Sequence, residues 1–206
     1  MARIPSRPHL PLNMRGNTAN QPGAKPAGKP VLLETEKFML RSLKPSDAGP
    51  TLASWFTDPL VLDGLNLPRE GLTREQVRGY VAKFDNRRRY MVGIFAKPEQ
   101  RFVGFYQMDL VPEHRFAQIS FVLGDKDYRG KPPANEPSIS LVKEFFENRN
   151  IDKIVARVKA RNISALWMMK QSIFEFEAVL KQEMLLPGGG RSDVVQFRCL
   201  KDQWIN

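Results

Sequence analysis

The chain holds one cysteine, Cys199, and two histidines, His9 and His114. A single thiol excludes an internal disulfide framework, and these three side chains are too few for a Cys-rich zinc site or for most His-based metal sites, so no metal centre is expected. No run approaches the ~18 apolar residues of a membrane span, and the N-terminus lacks the ~7–15-residue apolar core of a secretory signal. These absences suit a soluble protein in a reducing cytoplasm. Acids are missing from residues 1–30, where Arg3, Arg7, Arg15, Lys25 and Lys29 stand among six prolines. That stretch has no apolar periodicity and reads as a disordered basic tail ahead of one domain over 31–206.

The tail carries half of the net charge of +10, leaving 27 basic against 22 acidic residues in the remainder. A basic arm can attract nucleic acid or an acidic protein. The one basic run of the domain, "DNRRRY", is short and lacks the interleaved aromatics of a base-stacking platform, which argues against a nucleic-acid module. With 42% apolar residues the domain can bury a core.

Along that domain the periodicity changes several times. "VLLETEKFMLRSL" reads as one extended strand ending at the turn "KPSDA", where Ser46 or Asp47 has helix-start chemistry. A short helix with Leu52, Trp55 and Phe56 on its apolar face follows. "DPLVLDGLNLPREG" reads as a loop, apolar enough to wall a pocket. In "TREQVRGYVAKF", Thr73 and Gln76 make a capping box and Val77, Tyr80, Val81 and Phe84 recur at helical spacing. "YMVGIFAK", "RFVGFYQMDL" and "AQISFVLG" form an antiparallel meander. A helix from Ser138 to about Asn148, the strand "DKIVARVK", a helix opened by Asn162, and two strands around "LLPGGGRSD" complete a mixed α/β order.

That order resembles the GNAT superfamily of N-acetyltransferases, in its RimJ/RimL-like branch. "LETEKFMLRSLKPSDA", "WFTDPLV", "ISFVLGDKDYRGK" and "GGRSDVVQFRCLKDQW" carry the likeness, in order, over about Leu33 to Trp204. The resemblance implies an α/β (α+β) fold: a bent, mostly antiparallel mixed sheet, splayed between its fourth and fifth strands and flanked by about four helices, with acetyl-CoA lying in the splay. Splayed strands leave N–H and C=O groups unpaired, and the amides of a pantetheine arm can pair with them. By similarity Phe121, Val122 and Leu123 occupy that strand, one N–H polarising the thioester carbonyl.

The family's phosphate loop, [Q/R]-x-x-G-x-[G/A], is met by Arg129, Gly130, Lys131 and Ala134, running toward a helix N-terminus where amides and the helix dipole favour phosphate. Pro132 replaces the second glycine and Pro133 follows, so two N–H donors are missing. At ~1.5–3 kcal/mol for each hydrogen bond to a charged group, that loss weakens a CoA pyrophosphate site unless Arg129, Lys131 and the amides of Gly130, Ala134, Asn135 and Glu136 rebuild it. Acyl carrier protein, which presents the same arm on one phosphate, is an alternative donor that the basic tail would suit.

Acyl transfer needs a neutral amine, a path for its proton, and protonation of the departing thiolate. The family's glutamate on strand four is matched by Gln118, and its tyrosine acid by Met169. Candidate groups are therefore Asp109, Glu113 and His114 around the end of the third strand, Ser164 or Ser172 in the helix opened by Asn162, and Asn162 as a holder of pantetheine or water. Asp63 is placed to meet a cationic acceptor. The expected activity is N-acyl transfer from acetyl-CoA to a primary amine: a protein N-terminus, an amino sugar or a small amine. A non-catalytic ligand-binding protein on the same fold is the other reading.

Overall fold

The computed structural model describes residues 28–129 and 135–204. Eight strands form one open sheet in the order β1-β2-β3-β4-β5-β6-β8-β7. The strands are β1 (Leu32–Glu34), β2 (Phe38–Ser42), β3 (Arg89–Ala96), β4 (Arg101–Val111), β5 (Phe116–Leu123), β6 (Lys153–Lys159), β7 (Glu175–Leu185) and β8 (Arg191–Leu200). Every neighbouring pair is antiparallel except β5 with β6, which is parallel. A parallel pair needs a crossover, and α4 (Asn135–Asn148) supplies it.

The segment expected as one N-terminal strand is a hairpin. Thr35 turns it: its hydroxyl accepts from the Phe38 amide at 3.0 Å and its own amide donates to the Phe38 carbonyl at 2.8 Å. The extra strand moves every later strand up by one number, so the expected splay between strands four and five corresponds to β5 and β6. The stretch read as a loop after the first helix contains a second one. Helices α1 (Pro50–Trp55) and α2 (Pro59–Gly64) both begin on proline, whose fixed φ suits the first turn. Asp58 caps α2 by accepting from the Leu60 amide at 2.9 Å, and burial of Val61, Leu62 and Leu65 holds it down. Helix α3 (Arg74–Val81) opens with the capping box expected at Thr73 and Gln76. With α5 (Ile163–Lys170) and α6 (Lys201–Trp204) the described residues hold six α-helices.

The core has two faces. On one, α4 lays Leu141, Val142, Phe145 and Phe146 against Tyr106, Met108, Ile119 and Ile154. On the other, α1 to α3 pack Leu52, Trp55, Phe56, Val61, Val77 and Val81 against Met91, Phe105 and Val122. Phe56, Phe105, Phe145 and Phe146 have essentially no exposed surface, each contributing about 1.5–3 kcal/mol through burial. Residues 1–27 of the expected basic tail lie outside the described residues. Gly28 donates to the Asp85 carbonyl at 2.8 Å, and the carbonyls of Lys29 and Pro30 accept from Arg149.

Candidate functional site

Strands β5 and β6 run side by side for only four pairs, from Phe116 opposite Lys153 to Ile119 opposite Ala156. Beyond them both strands continue, β5 to Leu123 against β4 and β6 to Lys159 against β8, without pairing to each other. The sheet is therefore split, with Ser120–Leu123 on one lip and Arg157–Lys159 on the other. Peptide groups alternate in direction along a strand. The Val122 carbonyl faces β4, lying 2.4 Å from where a Cβ on Gly104 would sit, so the peptide groups of Phe121 and Leu123 face the split. The ring of Phe121 stacks on Tyr106 at 5.0 Å, and the Tyr106 hydroxyl is 2.8 Å from the hydroxyl of Ser138 on α4.

The end of the β5 lip is fixed by a three-way bond. Arg129 donates from Nε to the Leu123 carbonyl at 2.9 Å and from one terminal nitrogen to the Gly124 carbonyl at 3.1 Å, and its other terminal nitrogen meets Asp58 at 2.7 Å. Burial pushes the Asp58 carboxyl up, but the Arg129 bond, the Leu60 amide and the nearby cations outweigh it and hold the group below the usual carboxylate range. Gly124 permits close packing on α1, since a Cβ there would lie 1.9 Å from the Trp55 ring. Arg129 is thus engaged with protein groups. Gly130, Lys131 and Ala134, the rest of the expected phosphate loop, lie outside the described residues. Asn135 begins α4, its amide nitrogen donating to the Gln171 carbonyl at 3.1 Å while its side-chain oxygen is buried without a hydrogen-bond partner among the described residues.

On the α2 side of the split, Lys159 ends β6 with a buried ammonium that donates to the Asp63 carbonyl and lies 3.0 Å from its carboxylate. Arg161 meets the same carboxylate at 2.6 Å. Burial lowers the pKa of Lys159, and Asp63 offsets this in part. Asp63 is therefore already neutralised by the protein's own cations, a different position from the open carboxylate expected for a cationic acceptor. Three residues on, Asn66 donates to the Leu185 carbonyl at 2.9 Å, tying α2 to the β7–β8 hairpin, while its side-chain oxygen is buried without a partner among the described residues. Tyr80 accepts from the Gln107 amide at 2.8 Å beneath this surface, and burial pushes its phenol up to about 12, so it stays protonated.

The other candidates scatter. Asp109 on β4 stands opposite Gln118, about 7 Å along the sheet and one strand across from Ser120. Its carboxylate meets Arg89 at 2.8 Å. Glu113 and His114 lie in the β4–β5 turn, about 20 Å of extended strand from Ser120 and at the paired end of β5. Glu113 is bonded to Arg88. Ser164 is exposed in the first turn of α5, and Asn162 caps that helix by accepting from the Ala165 amide at 3.1 Å. Phe121, Val122 and Leu123 are thus gathered at the split with Arg129, whereas Glu113 and His114 are not. Sequence reasoning missed Asp58 and Lys159. Asp-Pro is a helix-start signal that marks the first, and alternation in "VARVK" puts Lys159 on one face with Val155 and Arg157.

Comparison with known proteins places this fold. No curated protein matches the sequence. Among solved structures, an acetyltransferase (GNAT family) from Bacillus anthracis is 18% identical, covers 84% of this chain and 99% of its own, and superposes with a TM-score of 0.71. RimL, a ribosomal L7/L12 alpha-N-protein acetyltransferase, is 19% identical over 86% and 99% of the two chains, at 0.71. A spermidine N-acetyltransferase from Vibrio cholerae, solved with CoA and spermine, is 16% identical over 84% and 100%, also at 0.71. At such identities the likeness is one of fold. The sequence itself goes further, because the acetyltransferase (GNAT) domain family matches residues 37–172, most of the described chain: the protein belongs to the GNAT acetyltransferases.

Proposed function

We infer that this chain transfers an acetyl group from acetyl-CoA to a primary amine, with the thioester lying in the split between β5 and β6. The observation that carries the reading is the early end of β5–β6 pairing. Buried strand edges are costly when unpaired, and a pantetheine arm has amides of matching polarity to complete them. A spermidine acetyltransferase of this fold is known with CoA bound, which supports the same donor here. The phosphate end of the donor belongs near the start of α4, where the helix dipole is positive.

The reaction is direct. The amine nitrogen attacks the thioester carbonyl carbon, a C–N bond forms, and the C–S bond breaks as the thiolate leaves. The proton lost by nitrogen is balanced by one gained at sulfur. A peptide N–H of Phe121 or Leu123 donates to the carbonyl oxygen as negative charge builds there. Neither candidate carboxylate, Asp109 or Glu113, touches the split, so the amine proton leaves through water, and Asp109 is the nearer of the two. The acceptor enters from the side of α2 and the β7–β8 hairpin, opposite α4.

Two measurements on the purified chain test this. CoA should raise the melting temperature, and acetyl-CoA with a panel of primary amines should release free thiol. Stabilisation without thiol release from any amine would favour a ligand-binding protein, and the absence of both would remove the reading.

A further inference from the structure

We propose that the acceptor is an amine carrying an anionic group, most simply a carboxylate, and that Arg157 is the residue that receives it. The proposal rests on the acyl-transfer reading and names the acceptor class for that site.

Arg157 is the first residue of β6 beyond its last rung with β5. Ala156 belongs to the core under α4, so alternation turns Arg157 to the opposite face, the one that α2 covers. Lys159, two residues on and on that face, reaches Asp63 of α2. Across the split, the residue that would be level with Arg157 is Ser120. Arg157 is half-buried, and its guanidinium is oriented by one bond, Nε to the Gln196 side-chain oxygen at 2.9 Å. Its two terminal nitrogens have no partner among the described residues. A planar fork with its stem fixed and its donors free is the arrangement that grips a carboxylate with two parallel bonds.

Three acids on that face of the sheet support the same sign. Asp63 is held by Lys159 and Arg161, Glu177 by Lys153 and the Gln196 amide, and Asp109 by Arg89. A polycationic acceptor finds no open carboxylate among these, whereas an anionic one finds an open guanidinium. The buried, unpartnered oxygen of Asn66 offers a place for an N–H on the same side of the split.

The test uses the full chain and amino acids and dipeptides with free carboxylates, each matched to its carboxamide, with spermidine as the polycation. Thiol release from acetyl-CoA gives kcat/KM, and calorimetry in the presence of CoA gives amine binding whether or not turnover occurs. Carboxylate members should exceed their amides by tenfold or more in either measure. Arg157→Gln should bring that ratio to within about threefold while the stabilisation by CoA is retained, and Arg157→Lys should recover part of it. Equal use of acid and amide, preference for spermidine, or a ratio that survives Arg157→Gln would overturn the proposal. If the glutamine variant does not fold, the ratio in the parent and its change in the lysine variant decide. CoA stabilisation with no anionic amine bound or acetylated refutes the anion site and leaves acyl transfer standing. If CoA neither stabilises the chain nor is released, acyl transfer fails and the proposal falls with it.

Discussion

Replacing Arg129 by alanine should loosen the β5 lip and destabilise the whole domain. Its guanidinium satisfies the Leu123 and Gly124 carbonyls and the Asp58 carboxylate at once, and those three groups lose their donor together. Breaking a fully buried pair by removing one partner costs about 3–5 kcal/mol. Here the side chains are 23% and 15% exposed, so water recovers part of the loss and the expected cost is about 2–4 kcal/mol. For a domain of this size each kcal/mol lowers the melting temperature by about 2–4 °C, which gives a drop of roughly 4–16 °C. Arg129→Lys keeps the charge but cannot span three acceptors, and should recover less than half of the loss. A double-mutant cycle with Asp58→Ala should return a coupling of at least ~1 kcal/mol, since the two residues touch. If Arg129→Ala melts within 1 °C of the parent, or the coupling vanishes, the guanidinium is a solvated surface charge and does not hold the lip. Because the same bond joins β5 to the N-cap of α2, the alanine variant should also reduce the melting-temperature rise produced by CoA.

Gly124→Ala would drive a Cβ into the Trp55 ring, so the ring must move; a loss of about 1–3 kcal/mol with a shift in tryptophan emission is expected, and unchanged emission would contradict the packing. Among the acid–base candidates Asp109→Asn should lower kcat by about 10²-fold, the lower end for lost proton transfer, whereas Glu113→Gln and His114→Ala should stay within twofold; the reverse ranking would move the chemistry to the β4–β5 turn. Asp47 is held below the usual carboxylate range chiefly by the Arg41 bond, burial opposing. A depressed folded pKa contributes stability above the unfolded value of about 4 and loses it as pH falls through the folded one, so Asp47→Asn should flatten the loss of melting temperature below about pH 4; an unchanged acid limb would contradict this.

The elements were legible where a local rule decides them. The Thr73–Gln76 box, the meander from β3 to β5 and the Asn162 cap each depend on a few neighbouring side chains, and each stands where its residues put it. Two boundaries differ from the pattern for a local reason: Thr35 bends a run that otherwise alternates as a strand, and Asp58-Pro59 starts a helix inside a stretch that reads as loop. The site was legible only in outline. Phe121 to Leu123 could be placed on a strand, but which of their peptide groups face the split follows from the register with Gly104, a relation between strands. Charge was the least readable property of all. Asp63 looks like an open carboxylate until Lys159, 96 residues later, is packed against it, and Arg129 looks like a phosphate ligand until Asp58 and two carbonyls claim its donors. Sequence counts formal charges, whereas recognition depends on those left unpaired after folding. That difference closes Asp63, the cation partner expected from the sequence, and leaves the terminal nitrogens of Arg157 without a partner among the described residues.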